Sequence, residues 1–362
     1  MKFTFDTLPI EGKEILKQGI LECFHRDIST VSCTFSSRNY VFIFGEGCFP
    51  AIIRVGAETP ECGAQDVLSE IMWMDDLKND VHNICQPIPS LGNRMVEKIA
   101  VGEVVYLVTM FRKANGAIFP DTQWNTDYFY NAGALLGKIH RTSSEGYQRG
   151  FRYKRKNWDE KLAYDFSCLE GIFAPDVLQD AQAVLEKIQS IPRDPRWYGM
   201  IHGDFNNGNM FYDWGEIWAF DFDDCCYGYF MYDIACLAHI FIHGTNYAAA
   251  HPDMTSHDRI LGENGILTHI RAGYTSEYSL PEEQWELFDE FFRLRVAEIA
   301  CLHIYYDIYP KDIMLAIQEP MLAYLKRDKS PIDRIDEVWE VSATRMTPEI
   351  YQLIAQTFNY AG

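Results

Sequence analysis

Ile201-His202-Gly203-Asp204-Phe205-Asn206-Asn207-Gly208-Asn209-Met210, followed by Ile217-Trp218-Ala219-Phe220-Asp221-Phe222-Asp223-Asp224, decides how this chain is read. Each stretch joins an apolar run to carboxylates or carboxamides. An apolar run of this length reads as a buried strand, and a polar cluster just past a strand end faces a cleft. Between the two, Tyr212-Asp213-Trp214-Gly215-Glu216 has the composition of a tight hairpin turn. The hairpin would hold Asp204, Asn209 and Asp221 near one point. Turns rich in Asp, Asn and Gly also occur for their backbone conformations alone. Two ordered polar sets, each closing an apolar run, favour a chemical role.

Phosphoryl transfer uses these residue types. One carboxylate orients the acceptor hydroxyl and receives its proton, while a carboxamide and a second carboxylate hold Mg²⁺ against nucleotide phosphates. Magnesium takes oxygen ligands and usually only one or two protein carboxylates. Asp204 fits the first role; Asn209 and Asp221, with Asp223 two residues on, fit the second.

The ordered set His202-x-Asp204-x-x-x-x-Asn209, Asp221-Phe222-Asp223, Gly228 and Tyr232-Asp233-Ile234-Ala235 resembles the aminoglycoside phosphotransferase and choline kinase-like superfamily. Its members share the fold of protein kinases and phosphorylate mostly small molecules. The resemblance runs from about residue 31 to residue 238. It implies an α+β, protein kinase-like two-lobed fold. A small antiparallel β lobe would span 1–112, a hinge 113–120, and a larger, mainly helical lobe 121–362 with the catalytic loop and acceptor site. It also implies Mg²⁺-dependent transfer of the γ-phosphoryl group of ATP or GTP to a small-molecule hydroxyl. Asp204 would be the catalytic carboxylate, with His202 orienting its loop and Asp233 bracing that loop from below. Two other readings stand beside this one. A Ser/Thr protein kinase of the same superfamily would carry an A-P-E signature after Asp221, which the chain lacks. A non-catalytic nucleotide-binding module would not need Asp204, Asn209 and Asp221 complete.

Bulk properties exclude several classes. The 362 residues allow two or three domains at the usual ~100–200 residues each. Hydrophobic residues make up 48%, ample for a packed core. The net charge is -20, from 32 Lys+Arg against 52 Asp+Glu, whereas a nucleic-acid binder would normally be basic over an extended patch. An acidic surface can steer a cationic substrate, although solubility is the simpler reading. The N-terminus lacks the pattern of a signal peptide, and no run of eighteen apolar residues suggests a membrane span. Ten scattered cysteines without a C-x-x-C pair read as reduced thiols of a cytoplasmic protein.

Along the chain, residues 10–24 have helical spacing, and runs at 31–35, 40–44 and 51–55 read as antiparallel strands. The turn Ser36-Ser37-Arg38-Asn39 occupies the place where the resembled family covers the nucleotide phosphates. Hydroxyls of Ser36 and Ser37 and nearby backbone N–H groups suit phosphate oxygens; an ordinary hairpin turn fits equally. Arg54 stands where kinases place a strand lysine. Arginine grips phosphate bidentately with a different reach; the other reading is a cap on a sheet edge. Residues 60–78 suggest an amphipathic helix through Gln65, Leu68, Met72 and Leu77, with Glu70 as partner of Arg54 or as a solvated surface group. Strands follow at 94–99 and 104–110. The nucleobase would sit beside Met110 and Phe111, bonded to their backbone, a mode that does not separate ATP from GTP.

The 127–141 segment is a clear helix, with Gly133 and Gly137 four apart for close packing and His140 as a core or cap group. The basic run Arg149, Arg152, Lys154, Arg155 and Lys156 suits an anionic acceptor or phosphates, but more commonly means a solvated face. Helical text runs from Trp158 to Ile191. His239 and His243 have metal spacing, but Ile240 follows the first and no third ligand is evident, so they read as core. Residues 234–242, 261–274, 281–306, 310–325 and 332–357 read as helices.

Overall fold

The computed structural model describes residues 8–35, 39–45, 50–150, 153–161, 164–242, 245–305, 310–345 and 350. These divide into two compact units. The first comprises the described residues of Met1–Gly116 with Arg152–Arg155 and Trp218–Asp223; the second comprises those of Ala117–Phe151, Lys156–Ile217 and Asp224–Gly362.

In the first unit, helix α1 (Ile10–Phe24) precedes strands β1 (Cys33–Phe35), β2 (Asn39–Phe44) and β3 (Ala51–Ala57). Helix α2 (Ala64–Leu77) follows, then β4 (Pro87–Ile88), β5 (Glu97–Val101) and β6 (Val104–Arg112). All described pairings are antiparallel, in the order β1-β2-β3-β6-β4, with β5 pairing an earlier part of β6 than β4 does. Helix α1 buries Leu16, Ile20 and Phe24 at four-residue spacing. They pack with Phe42, Ile53, Val55 and Val108 of the sheet. Strand side chains alternate between faces, so Arg54, between Ile53 and Val55, points away from this core.

The spacing of Gln65, Leu68, Met72 and Leu77 misplaced the buried face of α2. Val67, Glu70, Ile71, Trp73, Met74 and Leu77 are buried and Met72 is exposed. Apolar residues lie on both sides of this helix, so periodicity alone chose the wrong stripe. The segment Trp218–Asp223 is tied in by backbone bonds beside Ile84: Cys85 N–H donates to Ala219 C=O at 2.9 Å, and Ala219 N–H to Asn83 C=O at 3.1 Å. Phe222 then meets Trp73 edge-on at 5.5 Å.

The second unit holds α3 (Thr126–Gln148), α4 (Pro175–Gln189), β7 (Tyr198–Ile201) and β8 (Met210–Asp213). Next come β9 (Glu216–Ala219), whose first two residues lie in this unit, β10 (Cys226–Tyr229) and α5 (Phe230–Ile242). The remaining helices are α6 (Thr245–Ala250), α7 (Ser256–Leu261), α8 (Ile266–Glu277), α9 (Glu282–Trp285), α10 (Phe288–Tyr305), α11 (Lys311–Met321) and α12 (Ile335–Arg345). The expected hairpin forms between β8 and β9 and turns at Trp214 and Gly215, both left-handed at φ 48° and 98°. The apolar run ending at Ile201 does not pair across it. It pairs antiparallel with β10, Ile201 opposite Cys226. Strand β10 was not read from sequence because Cys226-Tyr227-Gly228-Tyr229 is buried at every position and shows no alternation. The expected helix at 281–306 breaks between α9 and α10, and the helical text at 158–191 contracts to α4, preceded by 3₁₀ turns at Trp158–Glu160 and Phe166–Leu169.

Helices α3 and α8 touch backbone to backbone. A Cβ on Gly133 would stand 2.1 Å from the Ile270 carbonyl oxygen. This approach brings His140 of α3 to Tyr274 of α8, Nδ1 to hydroxyl at 2.9 Å. Among the described residues no helix is long and apolar enough to cross a membrane.

Candidate active site

The first unit holds a buried cation, Arg54, and the carboxylates of Glu70, Asp221 and Asp223. Arg54 Nη1 and Nη2 donate to Glu70 Oε1 and Oε2 at 2.9 and 2.8 Å, a two-pronged pair. Arg54 is only 8% exposed and Glu70 1%, so neither is a sheet-edge or surface group. The guanidinium carbon lies 5.0 Å from the centre of the Phe111 ring, within cation–π range. Its Nη1 stands 4.0 Å from Asp221 Oδ1. Burial works against the charge, but the Glu70 carboxylate, then Asp223 and Asp221, raise the guanidinium pKa above its ordinary value. Arg54 is thus a fixed positive charge facing Asp221.

Asp221 has φ 62°, the left-handed region that Asp tolerates better than most residues. Asp223 lies in the 3₁₀ turn Phe222–Asp224, and its Oδ2 accepts from Asn39 Nδ2 at 2.9 Å. The basic run is partly structural rather than a solvated face. Arg155 donates to the carbonyls of Asp66 and Asp223 at 3.1 and 2.5 Å, and Lys154 N–H to Ser69 Oγ at 3.0 Å. Arg149 fits the solvated reading, paired with Glu145 on the surface at 2.7 Å, and Lys156 is exposed. Arg152, Ser36, Ser37 and His243 lie outside the described residues.

Met110 and Phe111 lie within the sheet. Met110 lies opposite Ile53 on one side and Ile88 on the other, and Phe111 opposite Ile52 and Pro87. The next amides, Arg112 and Lys113, donate to the carbonyls of Gln86 and Pro50. Backbone flanked by strands on both sides belongs to the ladder. The sequence could not show this, because β4 is only two residues long and contains a proline.

The second unit holds the loop after β7. Its support is Asp233, wholly buried at the start of α5. The Asp233 carboxylate accepts the backbone N–H of His202 at 2.7 Å and of Gly203 at 2.8 Å, and lies 3.2 Å from His140 Nε2. Burial opposes its ionisation, but the bond to His140 and the backbone N–H groups hold its pKa below the usual carboxylate range. Burial lowers the His140 pKa. Gly203 turns at φ 82°, and a Cβ there would meet the Asp224 carbonyl oxygen at 2.4 Å. No other residue fits that turn unstrained. His202 is fully buried, its ring edge-on to Phe205 at 5.5 Å. The Asp204 N–H lies 3.4 Å from its Nδ1.

Asp204 follows, its side chain 30% exposed. Its Oδ1 accepts from Asn206 Nδ2 at 2.9 Å and from Arg295 Nη2; its Oδ2 accepts from Asn209 Nδ2 at 2.9 Å. Asn209 Nδ2 also reaches the Asp204 carbonyl at 2.9 Å. With the amide nitrogen so committed, the carboxamide oxygen of Asn209 is the atom left for a hard cation, and an oxygen ligand is what magnesium takes. Tyr128 fastens the loop's far side, its hydroxyl donating to Asn207 Oδ1 at 2.6 Å.

Sequence reasoning missed the buried group behind Asp204. Arg295 Nη1 donates to Glu298 Oε2 at 2.9 Å, and Tyr164 hydroxyl to Glu298 Oε1 at 3.3 Å. Burial pushes the Glu298 carboxyl up to about 8; Lys161, 3.9 Å away, pulls against this, and Asp224 and Asp204 add to it. The available signal was an arginine and a glutamate three apart inside the apolar text of α10, since charges in a buried helix need partners.

A sequence profile of the phosphotransferase enzyme family matches residues 27–259. Amicoumacin kinase of Bacillus subtilis (strain 168) is 26% identical over 294 residues, covering 81% of this chain and 84% of its own length. An amicoumacin kinase solved with AMP-PNP, Ca²⁺ and Ami superposes with a TM-score of 0.72 at 25% identity, covering 94% of this chain and 96% of that one. A microcompartment-associated aminopropanol kinase shares the fold, with a TM-score of 0.67 at 21% identity over 92% of this chain and 100% of that one. The profile spans more than half of the chain and includes both motif stretches, so the chain belongs to the phosphotransferase enzyme family and is a small-molecule kinase that transfers phosphate to a hydroxyl.

Proposed function

We propose that this kinase moves the γ-phosphoryl group of ATP or GTP, bound with Mg²⁺, to a hydroxyl of amicoumacin or a small molecule like it. The observation that carries the reading is the fixed carboxylate of Asp204 on a loop hung from buried Asp233. The similarity to amicoumacin kinases over most of the chain supports the acceptor. The neighbour's AMP-PNP and Ca²⁺ support a nucleotide donor with a divalent cation.

In this mechanism Asp204 orients the acceptor hydroxyl and takes its proton late in the transfer. Arg54, held by Glu70, neutralises donor phosphate charge. Asn209 and Asp221 are assigned as metal ligands by their order in the sequence and their oxygen donors, with Asp223 secondary because Asn39 already engages it. The cation, when bound, offsets charge on the phosphate oxygens. Backbone beyond the end of β6, in the proposed hinge at 113–120 between lobes at 1–112 and 121–362, replaces Met110 and Phe111 as reader of the nucleobase. A nucleotide-using enzyme with free, buried thiols at Cys85 and Cys236 suits the cytoplasm.

The test is a turnover screen of the full chain with ATP or GTP and Mg²⁺ against amicoumacin, aminopropanol and kanamycin, reading phosphorylated product by mass. Amicoumacin should gain one phosphoryl group. Asp204→Asn should lower turnover by ~10²–10⁴-fold, as loss of positioned proton transfer does. Product from no hydroxyl acceptor, or an Asp204→Asn variant as fast as the parent, would overturn the reading.

A further inference from the structure

We propose that Arg295 is a positioning residue of the transfer reaction: it fixes the Asp204 carboxylate so that Oδ2, rather than Oδ1, takes the acceptor proton. The inference rests on Asp204 being the proton-accepting carboxylate.

An aspartate carboxylate rotates easily about its last torsion, which is broad and two-fold. A catalytic carboxylate left to itself would present either oxygen. Here the two oxygens differ. Oδ1 receives two donors, Asn206 Nδ2 and Arg295 Nη2; Oδ2 receives one, Asn209 Nδ2. A carboxylate oxygen offers about two lone-pair sites, so the remaining place for a proton is on Oδ2. Asn206 and Asn209 belong to the same short loop as Asp204 and would move with it. Arg295 comes from α10, 91 residues further on, and ties the carboxylate to a separate element.

Arg295 is itself held. It is 8% exposed, its Nη1 donates to Glu298 Oε2 at 2.9 Å, and the same nitrogen reaches the Tyr232 hydroxyl at 3.4 Å. Glu298, one turn along, accepts from Tyr164 and lies 3.9 Å from Lys161. A guanidinium so buried is seldom worth its desolvation for stability alone. Its other end meets the carboxylate that takes the proton.

In the step itself the acceptor oxygen bonds to the γ-phosphorus as the bond from phosphorus to the β–γ bridging oxygen breaks. The electron pair leaves with the nucleoside diphosphate, and the hydroxyl proton passes to Asp204 Oδ2. Arg295 forms and breaks no bond. It keeps Oδ2 in line with the hydroxyl, and a small misplacement of such a group costs about 10²-fold in rate.

The experiment compares the full-length parent with Arg295→Met, Arg295→Lys, Asp204→Asn and the double variant Asp204→Asn/Arg295→Met. Amicoumacin is the acceptor, with water as acceptor (nucleotide hydrolysis) measured in parallel. Arg295→Met should lower kcat by about 10²-fold while KM for acceptor and nucleotide stays unchanged. Arg295→Lys, which keeps the charge without the fork, should recover part of the rate. The double variant should be no slower than Asp204→Asn alone, because Arg295 acts only through Asp204. An Arg295→Met variant at the parent's kcat, a loss confined to acceptor KM, or additive losses in the double variant would each overturn the proposal. Full rate in Asp204→Asn would instead sink the reading of Asp204. Should Arg295→Met fail to fold, Arg295→Lys carries the test, and an undiminished kcat there overturns the proposal as well.

Discussion

Replacing Asp233 with asparagine tests the support of the catalytic loop with almost no change in volume, so no cavity confuses the result. The carboxylate now serves three groups: the N–H of His202 at 2.7 Å, the N–H of Gly203 at 2.8 Å, and His140 Nε2 at 3.2 Å. An amide has one acceptor oxygen. Its less costly orientation keeps that oxygen toward His202 and His140, both served by Oδ2, and turns the NH₂ group toward Gly203. One charge-assisted bond is then lost, worth about 1.5–3 kcal/mol, and the Gly203 N–H is left facing another donor in a buried site, costing about 1–3 kcal/mol more. The expected destabilisation is roughly 3 kcal/mol or somewhat above, read as a lower urea midpoint with an unchanged slope. Turnover should fall further than stability explains, because the Gly203 turn that aims Asp204 is the part released. A loss under about 1 kcal/mol, within the usual range of an ordinary single hydrogen bond, would refute the reasoning.

The same site contributes to the acid limb of stability. Asp233 has a depressed pKa when folded, so its contribution is present above the ordinary carboxylate range and is lost as pH falls through the folded pKa. His140 is also depressed, by burial. The unfolded chain takes that proton near pH ~6.5 while the folded chain resists it, so stability begins to fall below that pH. The parent should lose stability in two stages on acidification, and Asp233→Asn should show a smaller lower one.

Three further outcomes are expected. Asp221→Ala should fold normally yet lose nearly all phosphoryl transfer, measured by product formation at saturating Mg²⁺; near-normal turnover would remove Asp221 from the metal. Arg54→Met should weaken nucleotide binding and turnover, with Arg54→Lys restoring part, as calorimetric titration with ATP or GTP would report; unchanged affinity in Arg54→Met would end the phosphate role. Gly203→Ala should destabilise by at least about 2 kcal/mol through left-handed strain and the Asp224 carbonyl 2.4 Å from the new carbon; thermal melting within a degree or so of the parent would contradict the turn geometry.

What could be read from the sequence was the chemistry that sits close together along the chain. Asp204 and Asn209 are five residues apart, and their contact needs only one loop. Arg54 and Glu70 are sixteen apart on a strand and the next helix, which a strand–helix order already brings near. The partners that escaped notice are distant in sequence: Arg295 at 91 residues from Asp204, and Glu298 at 134 from Tyr164. No local period encodes a pairing at such separations. Strand β10 escaped for a different reason, being buried on both faces and so without the alternation by which a strand declares itself. The face of α2 was misread because its polar member, Glu70, belongs inside. A charge that is buried for the sake of a partner breaks the pattern by which burial is recognised.

Both sets of working groups are ordered by the protein's own bonds. In the first unit Glu70 already fixes Arg54, and in the second Asp233 fixes the turn that carries Asp204. Electrostatic groups that are fixed before reaction need no reorganisation when charge moves, and ligands that meet them need not supply the entropy of ordering them. Asp233 lies wholly inside and carries a charge that burial disfavours, a poor choice for stability alone. Its placement is explained once its task is to hold two consecutive N–H groups, which forces the left-handed step at Gly203 and so directs the next side chain, Asp204, outward. The strain at Gly203 and the buried charge at Asp233 are then two parts of one device, and a variant that relieves either should lose rate even where the fold survives.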